Sequence, residues 1–343
     1  MNELMMWKLC RVSIFLFVLV FWQSACTSEQ STNVKSESNS STAALDQPPS
    51  VPGFDRDSAY AYVAKQVSFG PRVPNTPAHE ECRAWLVQKL RSFGAEVREQ
   101  EFRSAAYTGE ILRGTNIIAS FNPDSGKRIL LGAHWDTRPF ADSPLNTERT
   151  DEPVLGADDG GSGVAVLLEV ARQLGQTPID MGVDIVLFDA EDYGETGANT
   201  PDSWGLGAQY WSRNTGYGAQ KPRYGILLDM VGSEGARFAR EQYSVSFAKP
   251  VVDRVWSLAQ DMGYGNYFVN ADGGAITDDH YFVNTIARIP MIDIINRPVD
   301  SETGFGAYWH THDDNLDVIN KRTLKAVGQV VLAVLYRENA GSL

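Results

Sequence analysis

Carboxylates and imidazoles gather at six places in the chain, each beside an apolar run or a glycine turn. The run ILLGA leads into His134-Trp135-Asp136, and Gly156-Ala157-Asp158-Asp159 precedes a glycine-led stretch. DIVLF ends on Asp189-Ala190-Glu191-Asp192, and GILL ends on Asp229. Asp278-Asp279-His280 follows a loop at Gly273, and Trp309-His310-Thr311-His312-Asp313-Asp314 follows the run that closes at Ile295. One such cluster is an ordinary solvated acidic face; six in corresponding positions point to a shared site. So many carboxylates repel one another unless a cation sits among them. Oxygen and imidazole donors without thiolate suit Zn²⁺ or a similar divalent ion.

Rival motifs fail residue by residue. Gly160-Gly161-Ser162-Gly163-Val164 is no nucleophile elbow, because Val164 stands where the last glycine is required. Val166 takes the place of the third glycine of a dinucleotide loop, and Asp158 and Asp159 would face the phosphates with like charge. There is no HExxH helix. The glycines are better explained as a tight turn behind Asp159.

The elements that must position these residues follow from periodicity. Thr76-Pro77 opens a helix whose apolar stripe is Trp85, Leu86 and Leu90 and which Gly94 stops. Strands are expected at residues 95–102, 115–121 and 128–133, then a polar loop over 137–156 and a helix over 162–174. A strand at 183–189, a short helix near 207–212 and a strand at 224–230 come next. Helix 251–262, strand 288–295 and helix 323–336 complete the pattern. Continuous apolar strands alternating with amphipathic helices predict an α/β fold: one domain with a central mixed, largely parallel twisted sheet and helices on both faces. Ligands of such sheets collect beyond the carboxyl ends of the strands.

The 343 residues carry 30 Lys plus Arg against 43 Asp plus Glu, a net charge of −13. That balance argues against nucleic-acid binding, since no basic surplus displaces counterions from phosphates. Three Cys exclude a disulfide scaffold. Lys8 and Arg11 followed by the apolar run from Val12 to Trp22 read as an export signal over residues 1–25, too short to span a bilayer. Ser24-Ala25-Cys26 resembles a bacterial lipoprotein cleavage site, with Gln23 departing from the usual Leu. Residues 26–50 read as a lipidated Cys and flexible tether, and 51–343 as the catalytic domain. The expected location is the bacterial cell envelope, on a periplasmic membrane anchor. Cys82 is expected to be a small apolar residue on a helix.

Taken in order, HWD, GADDGGSGV, LFDAED, LLDMVG, TDDHYF and WHTHDDNLD resemble the zinc-dependent aminopeptidase superfamily, M28 type, and within it the glutaminyl cyclases. The resemblance implies one Zn²⁺ held by Asp159, Asp192 and His310, with Asp192 in place of the Glu usual in animal cyclases. It implies Glu191 as general acid and base, and Asp229 and Asp278 as carboxylates near the substrate amide nitrogen. Trp309 would wall the pocket, and Trp204, in a loop of different length from the animal enzymes, would be a second wall. The activity implied is conversion of N-terminal Gln of peptides or proteins to pyroglutamate with release of ammonia.

The rival enzyme reading is a two-zinc aminopeptidase, with Asp159 bridging, His134 and Asp229 on one metal, and Asp192 and His310 on the other. Ligand inventory alone leaves both open; Trp309 beside His310 and the Asp278-Asp279-His280 cluster favour the cyclase. A non-catalytic lipoprotein that kept the fold would be expected to have lost Glu191 or a ligand. Competing structural readings make Asp229 a turn cap and Trp309 core packing. His79 is expected to be structural, His280 to orient a neighbour, and His312 to lie at the surface.

Overall fold

Four mostly apolar runs become the centre of the molecule, because a strand buried on both faces has no position for an exposed side chain. In the computed structural model these are β3 (Arg128–His134), β4 (Gly182–Phe188), β5 (Gly225–Asp229) and β8 (Met291–Ile295), every residue buried. The structure describes residues 50–343 except 198, 199, 219 and 299. The expected export signal, Cys26 and nearly all of the tether lie outside the described residues.

With β1 (Glu96–Ala105) and β2 (Ile111–Phe121), these strands form a six-stranded sheet of order β1-β2-β4-β3-β5-β8. β1, β2 and β4 pair antiparallel, whereas β4, β3, β5 and β8 run parallel. Parallel register brings His134 level with Phe188, and Asp229 level with Ile295. The carboxyl ends of four strands therefore open on one edge. The sheet is mixed and largely parallel, as the sequence pattern predicts.

Side chains alternate across the sheet. Ile129, Leu131 and Ala133 join one core with helices α1 (Arg56–Val67), α2 (Pro77–Ser92), α3 (Gly161–Gln176), α5 (Gln242–Asp261) and α7 (Lys321–Ala340). Leu130, Val186 and Leu227 join the other, with α4 (Leu206–Arg213) and α6 (Asp279–Phe282). Cys82 is a buried residue of α2, as expected.

Three differences have local causes. α5 begins at Gln242, well before residue 251, because Glu241 caps its first turn and a kink at Ala248 absorbs Pro250. β8 begins at Met291, later than expected, since Val283–Ala287 form a wide π-type turn and Arg288 turns left-handed. The small parallel pair β6 (Phe238–Arg240) and β7 (Phe268–Asp272) is too short to show a period.

Glu241 ties several of these pieces together. Its carboxylate accepts from the amides of Tyr243 (2.8 Å) and Ile276 (3.2 Å) and lies 3.0 Å from Nε2 of His280. Burial opposes its ionisation, yet His280 and the α5 amides hold its carboxyl down to about 2, from an ordinary 4.5. The stability it contributes is complete above the unfolded value and lost as pH falls through the folded one. Denaturant titrations should show a loss of about 2–3 kcal/mol between pH 4.5 and 2 from this group. Glu241→Ala should lower stability at pH 7 and remove that share of the pH dependence.

Candidate metal and substrate site

The loop ends that carry the chemistry are held by buried carboxylates acting as clamps. Asp136, just beyond β3, accepts from the amides of Glu191 (3.1 Å) and Asp192 (3.2 Å). Asp314 does the same for Asp158 (2.8 Å) and Asp159 (3.1 Å). Asp189 accepts from the amides of Thr115 (2.6 Å) and Ala190 (2.8 Å) and pairs with His79 Nε2 at 2.9 Å. His79 stacks on Trp135 with centroids 4.2 Å apart, so it is structural as expected.

Close backbone approach does the remaining positioning. A Cβ at Gly163 would lie 2.3 Å from the Leu228 carbonyl, so only glycine lets α3 pack this near β5. Gly160, at φ 37°, sits where a Cβ would meet the His134 ring at 2.8 Å. Ala190, Met230 and His310 are non-glycine residues at φ of 53°, 48° and 53°. Each is at, or next to, a candidate site residue. Strain of this kind persists only where surrounding structure over-determines it.

The result is a buried knot. Asp159, Asp192 and His310 place one ligand atom each within 4.8 Å of one another. His310 Nε2 is 3.1 Å from Asp192 Oδ1 and 3.9 Å from Asp159 Oδ2. Asp192 Oδ2 is buried with no hydrogen-bond partner among the described residues, the state expected of a carboxylate that needs a cation. Two oxygens and an imidazole, with no sulfur, fit Zn²⁺ with an open position. His134, Asp159 and Asp229 form a second triad of the same compactness. There His134 Nε2 lies 3.0 Å from Asp159 Oδ1, 3.3 Å from Asp229 Oδ1 and 3.1 Å from the Gly160 amide nitrogen.

Electrostatics sorts the carboxylates. Burial, then the charge of Asp278, pushes Glu191 well above the usual range. Burial raises Asp229 and Asp278 as well. Asp159 goes the other way, because the His134 and His310 imidazoles outweigh its desolvation. Carboxylates displaced in opposite directions within one cleft are a mark of acid–base machinery.

A cavity of about 310 Å³ opens above the knot, lined by Asp159, Glu191, Asp192, Asp229, Asp278, Trp204, Trp309 and His310 among others. All eight candidate residues of the sequence reading thus meet in one place. Trp309 stacks on His310 with centroids 3.7 Å apart, and Trp204 lies 6.2 Å from the same ring at 19°. His280 pairs with Glu241 rather than lining the cavity. His312 is partly exposed, 3.6 Å from Glu152.

Arg138 and Asp142 were not signalled by the sequence, because they lie in the irregular stretch between β3 and α3. Arg138 is wholly buried. It donates to the carbonyls of Asp192 (3.0 Å) and Gly194 (2.7 Å), grips Asp142 (2.6 and 3.0 Å) and lies over Trp204. Asp142 Oδ1 in turn is 3.2 Å from His310 Nδ1.

An α/β sheet with carboxylate and imidazole ligands at its parallel strand ends defines a metal-dependent hydrolase-like enzyme. A family model for peptidase family M28 matches residues 116–335, and the chain belongs to that family. A Zn-dependent exopeptidase from Parabacteroides distasonis is 54% identical, with a TM-score of 0.81 over 84% of this chain and 99% of that one. The glutaminyl cyclase of Bacteroides thetaiotaomicron, solved with N-acetylhistamine, is 51% identical at the same TM-score, 84% and 99% covered. The glutaminyl-peptide cyclotransferase of Drosophila melanogaster is 24% identical over 76% of this chain and 75% of its own length. Of two other curated relatives, 33% and 26% identical, the chain spans less than half the length, 43% and 47%.

Replacing Arg138 leaves the partly exposed Asp142 with His310 alone and strands the carbonyls of Asp192 and Gly194, at a cost of about 1–3 kcal/mol. Arg138→Met should lower the denaturant midpoint accordingly and alter tryptophan fluorescence through Trp204. Unchanged stability would show that these hydrogen bonds do not hold the loop.

Proposed function

We infer that the protein is a glutaminyl-peptide cyclotransferase, converting N-terminal Gln of peptides or proteins to pyroglutamate and ammonia. The observation that carries this reading is the indole of Trp309 lying flat on His310, 3.7 Å away. It roofs the Asp159–Asp192–His310 triad with an aromatic wall and leaves a cavity at the small end of the ligand-pocket range. Such a space suits one flat amide side chain. The likeness to solved bacterial glutaminyl cyclases supports the same reading.

The substrate carries both reactants, so the chain's tasks are to fold the side chain into a ring-forming pose and to move a proton. Asp159, Asp192 and His310 would hold zinc, which when bound supplies a Lewis acid toward the γ-carbonyl oxygen. Trp309 and Trp204 flank the side chain. Glu191, basic because it is buried beside Asp278, takes the proton from the α-amine as nitrogen bonds to the side-chain carbonyl carbon, Cδ. It returns that proton to the amide nitrogen, whose bond to Cδ breaks as ammonia leaves. Asp229 and Asp278, both raised by burial, line the cavity, where the protonated form of one offers a donor and the ionised form of the other an acceptor to that nitrogen.

The two-metal aminopeptidase reading is favoured by the compact His134–Asp159–Asp229 triad. Against it stands the indole of Trp309 roofing the Asp159–Asp192–His310 triad. The apolar run from Val12 to Trp22 and Cys26 support an exported, lipid-anchored form acting on peptides in the cell envelope.

Metal analysis should find one zinc per chain. Chelation should abolish ammonia release from a Gln-initiated peptide, and one equivalent of Zn²⁺ should restore it. Two zincs together with a freed residue from a Leu-initiated peptide would establish the aminopeptidase instead. Glu191→Gln should lower kcat by about 10²–10⁴-fold with zinc still bound. Near-normal turnover in that variant would rule out its role.

A further inference from the structure

The aromatic wall does not stop at Trp309. Phe305 stacks on the indole with centroids 4.5 Å apart at 22°, and the Arg297 guanidinium lies 5.0 Å from the Phe305 ring centroid. The tier His310–Trp309–Phe305–Arg297 thus runs from the metal knot to a guanidinium that itself lines the cavity. Arg297 is the only Arg or Lys among the described residues of that lining, which otherwise carries Glu195 and five site carboxylates. It is partly exposed rather than sealed in. Nη1 donates to the Ala275 carbonyl at 3.3 Å, while Nε and Nη2 have no protein acceptor among the described residues. A cation over an aromatic face, lining the cavity with donors that no protein acceptor takes up, can receive an anion.

A peptide whose Gln side chain lies against Trp309 extends its next residue along this wall, since successive Cα atoms are about 3.8 Å apart. We propose that Arg297 reads a carboxylate on the residue following the N-terminal Gln, so that the preferred substrates are Gln-Glu and Gln-Asp peptides. The proposal rests on the cyclotransferase reading. It applies equally to the terminal carboxylate of a Gln dipeptide, and the two sources are separable. Placing the one cation of the lining here also offsets the repulsion that the carboxylate floor would exert on an acidic peptide.

The test is kcat/KM for ammonia release by the zinc-loaded protein on amide-capped Gln-Glu-Ala, Gln-Gln-Ala and Gln-Lys-Ala, and on Gln-Ala as acid and as amide. Gln-Glu-Ala should exceed Gln-Gln-Ala by about tenfold at low salt, the worth of one partly screened charge-assisted hydrogen bond. The ratio should fall as salt rises. Gln-Ala acid should likewise exceed its amide, and that ratio too should collapse in Arg297→Gln. In Arg297→Gln, with melting checked against the parent, the Glu/Gln ratio should collapse to about one, and Arg297→Lys should recover part of it. Equal rates on the Glu and Gln peptides, or a ratio unchanged in Arg297→Gln, would overturn the proposal. No ammonia from any Gln peptide would instead overturn the underlying activity.

Discussion

Carboxylates taken out of water repel one another and lose hydration together, and this cost shapes the whole strand-end edge of the protein. The chain meets it in three ways. Some carboxylates, Asp136 and Asp314 above all, are absorbed by pairs of adjacent backbone amides. Others take an imidazole partner, as Asp189 does with His79 and Glu241 with His280. The remainder, Asp159, Asp192, Glu191, Asp229 and Asp278, face one cavity. The clamps are what make the last group possible: a loop whose amides are pinned can hold a charge that would otherwise turn outward.

Aromatic stacking is the second organising contact. It starts at Arg138 over Trp204 and continues through His310, Trp309 and Phe305 to Arg297. His310 therefore belongs at once to the ligand triad and to the pocket wall. Its Nδ1 lies 3.2 Å from Asp142 Oδ1 and its face lies against the indole, so the candidate ligand set and the cavity wall share one ring. A single stacked column explains why left-handed φ at His310 is tolerated: the surrounding rings leave it one orientation.

The parallel centre of the sheet was legible because β3, β4, β5 and β8 are mostly apolar with no alternation of polar residues, the pattern of a strand covered on both faces. The early helix was legible from Thr76, Pro77 and its stripe, and it spans Pro77–Ser92. The start of α5 was not, since Pro250 looks like a boundary until Glu241 is seen capping the turn ahead of it. Likewise the pair β6 and β7 depends on partners from distant segments and leaves no period of its own.

For the site, residue type and the ends of apolar runs were enough to bring the carboxylates and imidazoles to one edge, because parallel strands must deliver their carboxyl ends there; singling out Asp159, Asp192, His310, Glu191 and the two tryptophans took the resemblance to the glutaminyl cyclases. Sequence could not separate carboxylates that face the cavity from those that clamp backbone. Asp313-Asp314 and Asp158-Asp159 look alike on paper. Yet Asp314 reaches across 156 residues to the Asp158 amide, while Asp159 joins the triad. Nor could it show Arg138, Asp142 or Arg297, whose roles arise only where segments far apart in the chain meet. Charge and periodicity are local properties; which neighbour neutralises a buried charge is decided by tertiary packing alone.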